Sequence, residues 1–236
     1  MVIMNIEYYK KISDSEIDSP KWELSKQYLE VNEIEKIDNE YIYERYSIHK
    51  KHEIYFTKES HEKVEHIIDV ITFYYKVKNY RYFFCVQINI EKEEIEWIYM
   101  KNSTYCYLSA RSENMTLEEM TNLTKLKYSY GVTKGQKEYR GKKEITHKSS
   151  LVKYRFTNET SFEIEEALNM LLDELEKDKE GIKTLVQKTN ASIVFCKYQY
   201  VSANAGIGLD IKTIARLNDF NLGIFIDMYC EGEYIK

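Results

Sequence analysis

The run Gly206-Ile207-Gly208-Leu209-Asp210-Ile211-Lys212-Thr213-Ile214-Ala215-Arg216-Leu217 is followed closely by Leu222-Gly223-Ile224-Phe225-Ile226-Asp227-Met228-Tyr229-Cys230. It reads as turn, helix and strand in succession. Asp210 suits a helix N-cap, because its carboxylate can accept orphan backbone N–H groups. Ile211, Ile214 and Leu217 recur at the spacing of one helix face. From Leu222 the period becomes two. Leu222, Ile224, Ile226 and Met228 share one side, and Gly223, Phe225, Asp227 and Tyr229 share the other.

Working outward, Ala191 to Val201 is a strand with Ile193, Phe195 and Lys197 opposite Val194, Cys196 and Tyr198. A helix opening at Ser161 carries Ile164, Leu168, Leu171 and Leu175 on one face. Gly181 interrupts or ends it, with Ile182, Leu185 and Val186 in a further turn. Leu151 to Thr157 and Tyr105 to Arg111 are strands. Thr116 can cap a short helix, with Glu119 at the capping-box position and Leu117, Met120 and Leu123 inward. Residues 128–149 read as a long polar loop. The alternation of strands and helices predicts an α+β fold, a mixed or antiparallel sheet with helices packed on one face.

The first half reads differently. All eight glycines fall at or after Gly131, so Asn, Asp and Ser must serve its turns. Residues 1–40 are charged and weakly patterned, with Trp22 after the single proline, Pro20, expected to anchor them. Tyr41 to Thr57 suits strands, broken near Lys50-Lys51. Val64, Ile67, Ile68, Ile71, Tyr74 and Tyr75 have helical spacing, which predicts a helix capped by Thr57 or Ser60. Tyr80 to Ile90 and Ile95 to Lys101 form a hairpin across Glu91-Lys92-Glu93-Glu94. The expected division is an N-terminal α+β unit over residues 1–103 and a second α+β domain over residues 104–236.

Composition excludes several classes. The net charge of −5 argues against a general nucleic-acid binder, which needs clustered cations. No apolar stretch approaches the 18 or so residues that span a bilayer, and the acidic N-terminus does not read as a secretory signal. Cys85, Cys106, Cys196 and Cys230 form no C-x-x-C pair, so a reduced, cytoplasmic setting is expected. The abundant Lys, Ile, Asn and Tyr have AT-rich codons, a bias that a low-GC genome produces without selection on function.

The segment from Tyr105 to Cys230 resembles the bacterial family called domain of unknown function 4279. The resemblance rests on the opening strand with Met115-Thr116-Leu117-Glu118-Glu119, the Lys134-Gly135 turn, the long helix from Phe162, and the Leu209 to Tyr229 ending. It implies an immunity-type or accessory protein of bacterial conflict systems, with no catalytic residues to carry over.

No metal or cofactor site is expected. His61 and His66 diverge by about 140° on a helix, and His49 and His52 face opposite sides of a strand. Gly206-Ile207-Gly208 lacks the third glycine of a dinucleotide loop and reads as a tight turn before Asp210. Asp227 reads as a structural acid, with a pocket acid of shifted pKa as the alternative.

The tyrosines, 22 in all, point to recognition, since tyrosine combines large contact area with few rotatable bonds. Tyr74, Tyr75, Tyr80 and Tyr82 beside Glu91, Glu93, Glu94 and Glu96 form the expected partner-binding patch for a basic protein surface. The expected function is non-catalytic protein binding, as an immunity-type protein neutralising a toxin. The alternatives are a phage- or host-encoded inhibitor of a defence protein, or a small-ligand sensor or enzyme with a pocket between the halves, using Asp227, His147 or Arg155.

Overall fold

The computed structural model describes residues 5–56, 63–156, 163–202 and 206–235, with the side chains of residues 52–56, 63–66 and 140 left aside. Its contacts divide the chain into two units. The first is Met1–Asn102 together with Gln199–Asn204 and Cys230–Lys236; the second is Ser103–Tyr198 with Ala205–Tyr229. This differs from a single cut after residue 103, because the chain returns twice to the first unit.

The first unit opens with helices α1 (Ile6–Asp18) and α2 (Glu23–Val31). Asn5 caps α1, accepting the Tyr8 N–H. Strands β1 (Lys36–Ile37) and β2 (Glu40–Tyr41) meet through Asp38-Asn39, both at positive φ. That is the two-residue hairpin geometry Asn and Asp tolerate without glycine. Strands β3 (Tyr43–Phe56), β4 (Lys63–Lys76), β5 (Phe83–Asn89) and β6 (Glu94–Lys101) form an antiparallel sheet in that order. Ile71, Phe73, Tyr75, Phe84, Val86, Ile88, Ile98 and Met100 join Tyr9 and Ile17 in one core.

The helix expected over Val64–Tyr75 is therefore strand β4, and β3 runs unbroken through Lys50-Lys51. From Ile68 to Tyr75 every residue but Asp69 is buried. Apolar residues on both strand faces satisfy a helical stripe as readily as a strand. Pairing with β3 and β5 decides for the sheet, which the β-branched and aromatic content suits. The caps considered for that helix, Thr57 and Ser60, lie outside the described residues.

The returning segments complete the first unit's core. Tyr200 is buried there, edge-on to Tyr28 at 5.7 Å and Tyr82 at 5.3 Å between ring centroids. The Tyr82 hydroxyl donates to Asn32 Oδ1 at 2.7 Å. Tyr200 donates to the Glu233 carbonyl, and the Val201 N–H reaches the Glu231 carbonyl at 3.0 Å. Gly232 makes this approach possible. Its φ is +90°, and a Cβ there would sit 2.5 Å from Tyr82 Oη and 2.9 Å from the Tyr200 ring.

The second unit contains β7 (Ser103–Ser112), α3 (Leu117–Thr121), β8 (Tyr130–Val132), β9 (Lys137–Arg140), β10 (Lys143–Thr146), β11 (Ser150–Tyr154), α4 (Ile164–Leu175), α5 (Lys179–Lys188), β12 (Asn190–Tyr200), α6 (Ile211–Asp219) and β13 (Gly223–Glu231). The last residues of β12 and β13 group with the first unit. The five-stranded order is β13-β12-β7-β11-β8. Tyr198 stacks on Tyr229, Gln199 Nε2 reaches Cys230 Sγ, and Val201 bonds Glu231. These contacts advance together, so β12 and β13 are parallel and α6 is their crossover. The core lies between the sheet and α4 to α6, through Leu108, Val152, Ile193, Phe195, Leu168, Leu172, Leu185 and Phe220.

The α+β class, the Thr116 capping box, the Asp210 cap and the inward residues of α4 and α5 match expectation. Two features do not. Residues 128–149 contain β8 and the β9–β10 hairpin, short polar strands that carry no apolar alternation. Helix α6 buries Thr213 and Leu217, while Ile211 and Ile214 face outward. Its rotation is set by polar contacts with α4. Arg216 donates to Asn169 Oδ1 at 2.8 Å, Asp173 at 2.6 Å and Glu176 at 2.9 Å. Asn169 also bonds the Thr213 hydroxyl.

Two stability outcomes follow from this packing. Gly232→Ala should cost about 2 kcal/mol, read as a lowered denaturation midpoint, since left-handed backbone and a ring clash combine. Asp178 Oδ2 accepts the Lys125 N–H at 2.5 Å and the Thr124 hydroxyl at 2.7 Å. These bonds, the Lys125 N–H first, hold its carboxyl below the usual range. A depressed carboxylate stabilises the fold above its unfolded value near pH 4 and loses that contribution as pH falls through the lower folded value. Asp178→Asn should therefore lower the midpoint at neutral pH and converge with the wild type on acidification.

Candidate functional site

The tyrosines expected on the surface are mostly core. Tyr74, Tyr75 and Tyr82 are buried and Tyr80 is half-buried. The Tyr75 hydroxyl donates to Asp14 at 2.7 Å, and burial raises its pKa. Tyr74 bonds Ser47 at 2.9 Å, and Tyr80 stacks on Tyr82 at 5.0 Å. Tyr82 also has a raised pKa, chiefly from burial. Tyr80 and Tyr82 precede β5 while Glu91, Glu93 and Glu94 follow it, so the strand's seven residues separate them by roughly 20 Å. The expected patch does not assemble. Residues adjacent across a hairpin in sequence lie at opposite ends of its strands.

The acids do form an exposed turn. Asn89 Oδ1 accepts the Glu91 and Lys92 N–H groups at 3.0 Å each. Glu93 holds a positive φ of 55°, uncommon for so long a side chain. Its carboxylate accepts the Tyr8 hydroxyl at 2.7 Å. That bond raises the Tyr8 pKa. Glu96 turns elsewhere, to Lys51 at 3.1 Å and Asn89 at 3.5 Å.

Beside this turn lies a cleft of about 700 Å³, lined by Tyr8, Ile12, Ser15, Glu16, Trp22, Glu94 and Ile95, with Lys11 and Lys21 also contributing. That volume is ordinary for a ligand-sized site. Its geometry comes from Glu16, only 3% exposed on α1. Glu16 Oε1 accepts the Lys21 N–H at 2.9 Å and the Trp22 N–H at 2.8 Å. It thereby orients the chain entering α2, where Trp22 is an N-cap without a side-chain acceptor. Trp22 and Tyr8 supply aromatic walls, and in the lining Glu16 and Glu94 are matched by Lys11 and Lys21. The aromatic walls suit a cation, and the excess of acid lies on the neighbouring 91–94 turn.

A further cleft of the first unit, about 830 Å³, is lined by Glu33, Lys36, Tyr41 and Lys78 among others. Lys78 pairs with Glu33 at 2.8 Å, and Lys36 lies 3.9 Å over the Tyr41 ring.

In the second unit the helix-free sheet face carries Tyr105, Tyr107, Tyr198 and Tyr229 in successive ring contacts. Arg155 lies 4.2 Å over Tyr105, and Lys153 lies 4.5 Å over Tyr107. Asp227 is a half-buried acid that accepts the Tyr229 hydroxyl at 2.8 Å. This bond is the first cause that pushes the Tyr229 pKa up to about 12. His147 bonds Glu138 at 2.8 Å. Asp227 lies on β13, His147 just after β10 and Arg155 just after β11. Among the described residues, no group of three or more His, Cys, Asp or Glu is placed to hold a metal ion. Among the same residues, no helix is long and apolar enough to cross a membrane.

Sequence reasoning missed the cleft because its walls come from residues 8–22 and 94–95, remote in the chain. Only Trp22 was legible as an anchor. Glu16→Ala should strand two N–H groups at the entry to α2 and cost about 1–3 kcal/mol. Urea denaturation followed by Trp22 fluorescence in a Trp97→Phe background would measure it.

No curated protein and no solved structure matches the chain. A family model does. It is described as "Domain of unknown function (DUF4279)" and matches residues 101–231, more than half of the chain. The match takes in β7, the helices α3 to α6, the parallel β12–β13 pair and the Asp210 cap; on that span the chain belongs to the DUF4279 family.

Proposed function

We propose that this chain is a non-catalytic, cytoplasmic protein-binding protein of the immunity type, which neutralises a cognate bacterial toxin. The reading rests on one observation above others. The Tyr8–Trp22 cleft is lined by Glu94, which closes a turn whose left-handed Glu93 is tied to Tyr8. Strained backbone held by a specific bond is a feature of ligand clamps. Aromatic walls beside exposed carboxylates fit a lysine- or arginine-bearing loop of a partner. The acid rim would speed encounter with a basic surface, and salt would slow it.

The test is a binding measurement with the product of the adjoining gene, using the full chain. Complex formation is expected, with association slower at 300 mM than at 50 mM salt. Trp22→Ala and the pair Glu93→Lys with Glu94→Lys should each weaken binding at least tenfold, about 1.4 kcal/mol, at unchanged melting temperature for the exposed acids. Binding that is indifferent to both variants removes the cleft from the reading. Failure of the two proteins to associate removes the immunity role.

A further inference from the structure

Among the described residues, strand β13 ends its sheet, with β12 as its one neighbour in the strand order. An edge strand leaves a row of N–H and C=O groups without ladder partners, and proteins usually guard it with lysine, proline or a bulge. Between Gly223 and Tyr229 there is neither lysine nor proline, and the one charge, Asp227, is engaged by the Tyr229 hydroxyl. Large apolar groups project instead. Phe225 is 60% exposed and Met228 44%, with Ile226 and Tyr229 also exposed. On the neighbouring helix α6, Ile211 is 82% exposed and Ile214 50%.

Full exposure of a large side chain is on the order of 200 Å², so these six residues offer about 600 Å². Ile226 and Met228 stand on one face of β13 and Phe225 and Tyr229 on the other, so only an edge-to-edge partner covers both sets. Two copies together offer at most about 1,200 Å², the lower bound of a stable specific interface.

The strand is also complementary to itself. A two-fold axis perpendicular to the sheet would pair two copies antiparallel and keep each residue on its own face. With the axis at Ile226, Ile226 meets its own copy, Ile224 meets Met228, and Gly223 meets Tyr229. Phe225 then meets Asp227, whose carboxylate already holds the Tyr229 hydroxyl at 2.8 Å. Moving the axis to Asp227 sets two carboxylates directly opposite, which is repulsive.

We infer that β13 is a homodimer interface, at which two copies of this chain pair edge to edge about Ile226 into one continuous sheet, with Ile211 and Ile214 packing beside it. This surface shares no residue with the Tyr8–Trp22 cleft, so either reading can fail without the other.

Sedimentation of the full chain between about 1 and 200 µM tests it, because an interface of this area supports a dissociation constant on the order of micromolar to tens of micromolar. The mass is expected to rise from 28.3 kDa toward twice that value. Ile226→Lys should remain monomeric throughout, with its melting temperature unchanged because Ile226 is already exposed in the single chain. In a Cys230→Ser background, Ile226→Cys should cross-link across the axis on oxidation, while Met228→Cys, opposite Ile224, should not. A wild type that stays monomeric at 200 µM overturns the inference. So does a dimer that survives Ile226→Lys, or equal cross-linking by Met228→Cys. A chain that is monomeric alone but loses its toxin complex on Ile226→Lys would assign the edge to the toxin instead.

Discussion

The burial of Tyr200 governs how this chain is organised. Its ring closes the first unit's core against Tyr28 and Tyr82, and the segment around Gly232 closes over both. The N-terminal residues therefore do not possess a complete core of their own. They borrow Gln199–Asn204 and Cys230–Lys236 from the end of the chain. The family match stops at residue 231, just before the glycine whose φ permits the last return. Folding of the first unit is thereby coupled to formation of β12 and β13, and loop-closure entropy across most of the chain must be offset by these aromatic contacts.

The same residue type serves different ends in the two units. In the first, Tyr74, Tyr75 and Tyr82 sit inside, with hydroxyls satisfied by Ser47, Asp14 and Asn32. In the second, Tyr154 is core, while Tyr105 and Tyr107 line a sheet face with Arg155 and Lys153 over their rings. A tyrosine-rich composition is therefore not by itself a recognition signal. Buried rings stabilise a small core where a single polar group can be satisfied, and burial raises their pKa as it does for Tyr75. The groups left available for recognition are fewer: Tyr8 and Trp22 at the cleft, and the apolar edge of β13.

Turn chemistry shows how the chain manages with few glycines. Asp38, Asn39, Asn79 and Asn221 adopt positive φ, as their short polar side chains allow. Glu93 does so too, and among the described residues at positive φ it is the one with a long side chain. Its bond to Tyr8 makes an otherwise unfavourable backbone part of the acidic turn's shape.

Much of the second unit was legible from sequence alone. Its helices present one apolar face to one sheet, so period and capping residues identify them, as at Thr116, Leu168 and Asp210. Its alternating strands follow from the same logic at β12 and β13. The first unit was not legible in that way. From Ile68 to Tyr75 β4 is buried on both faces, so its pattern fits helix and strand alike, and only pairing with β3 and β5 resolves it. Which isoleucines of α6 face outward depended on Arg216 and Thr213 meeting Asn169, an interaction between residues more than forty apart. The cleft and the unpaired edge are likewise properties of assembled neighbours. Sequence determines local periodicity and caps because those depend on nearby residues. Exposure, strand partners and cavities depend on which distant segments return, and that is decided only when the tertiary contacts form.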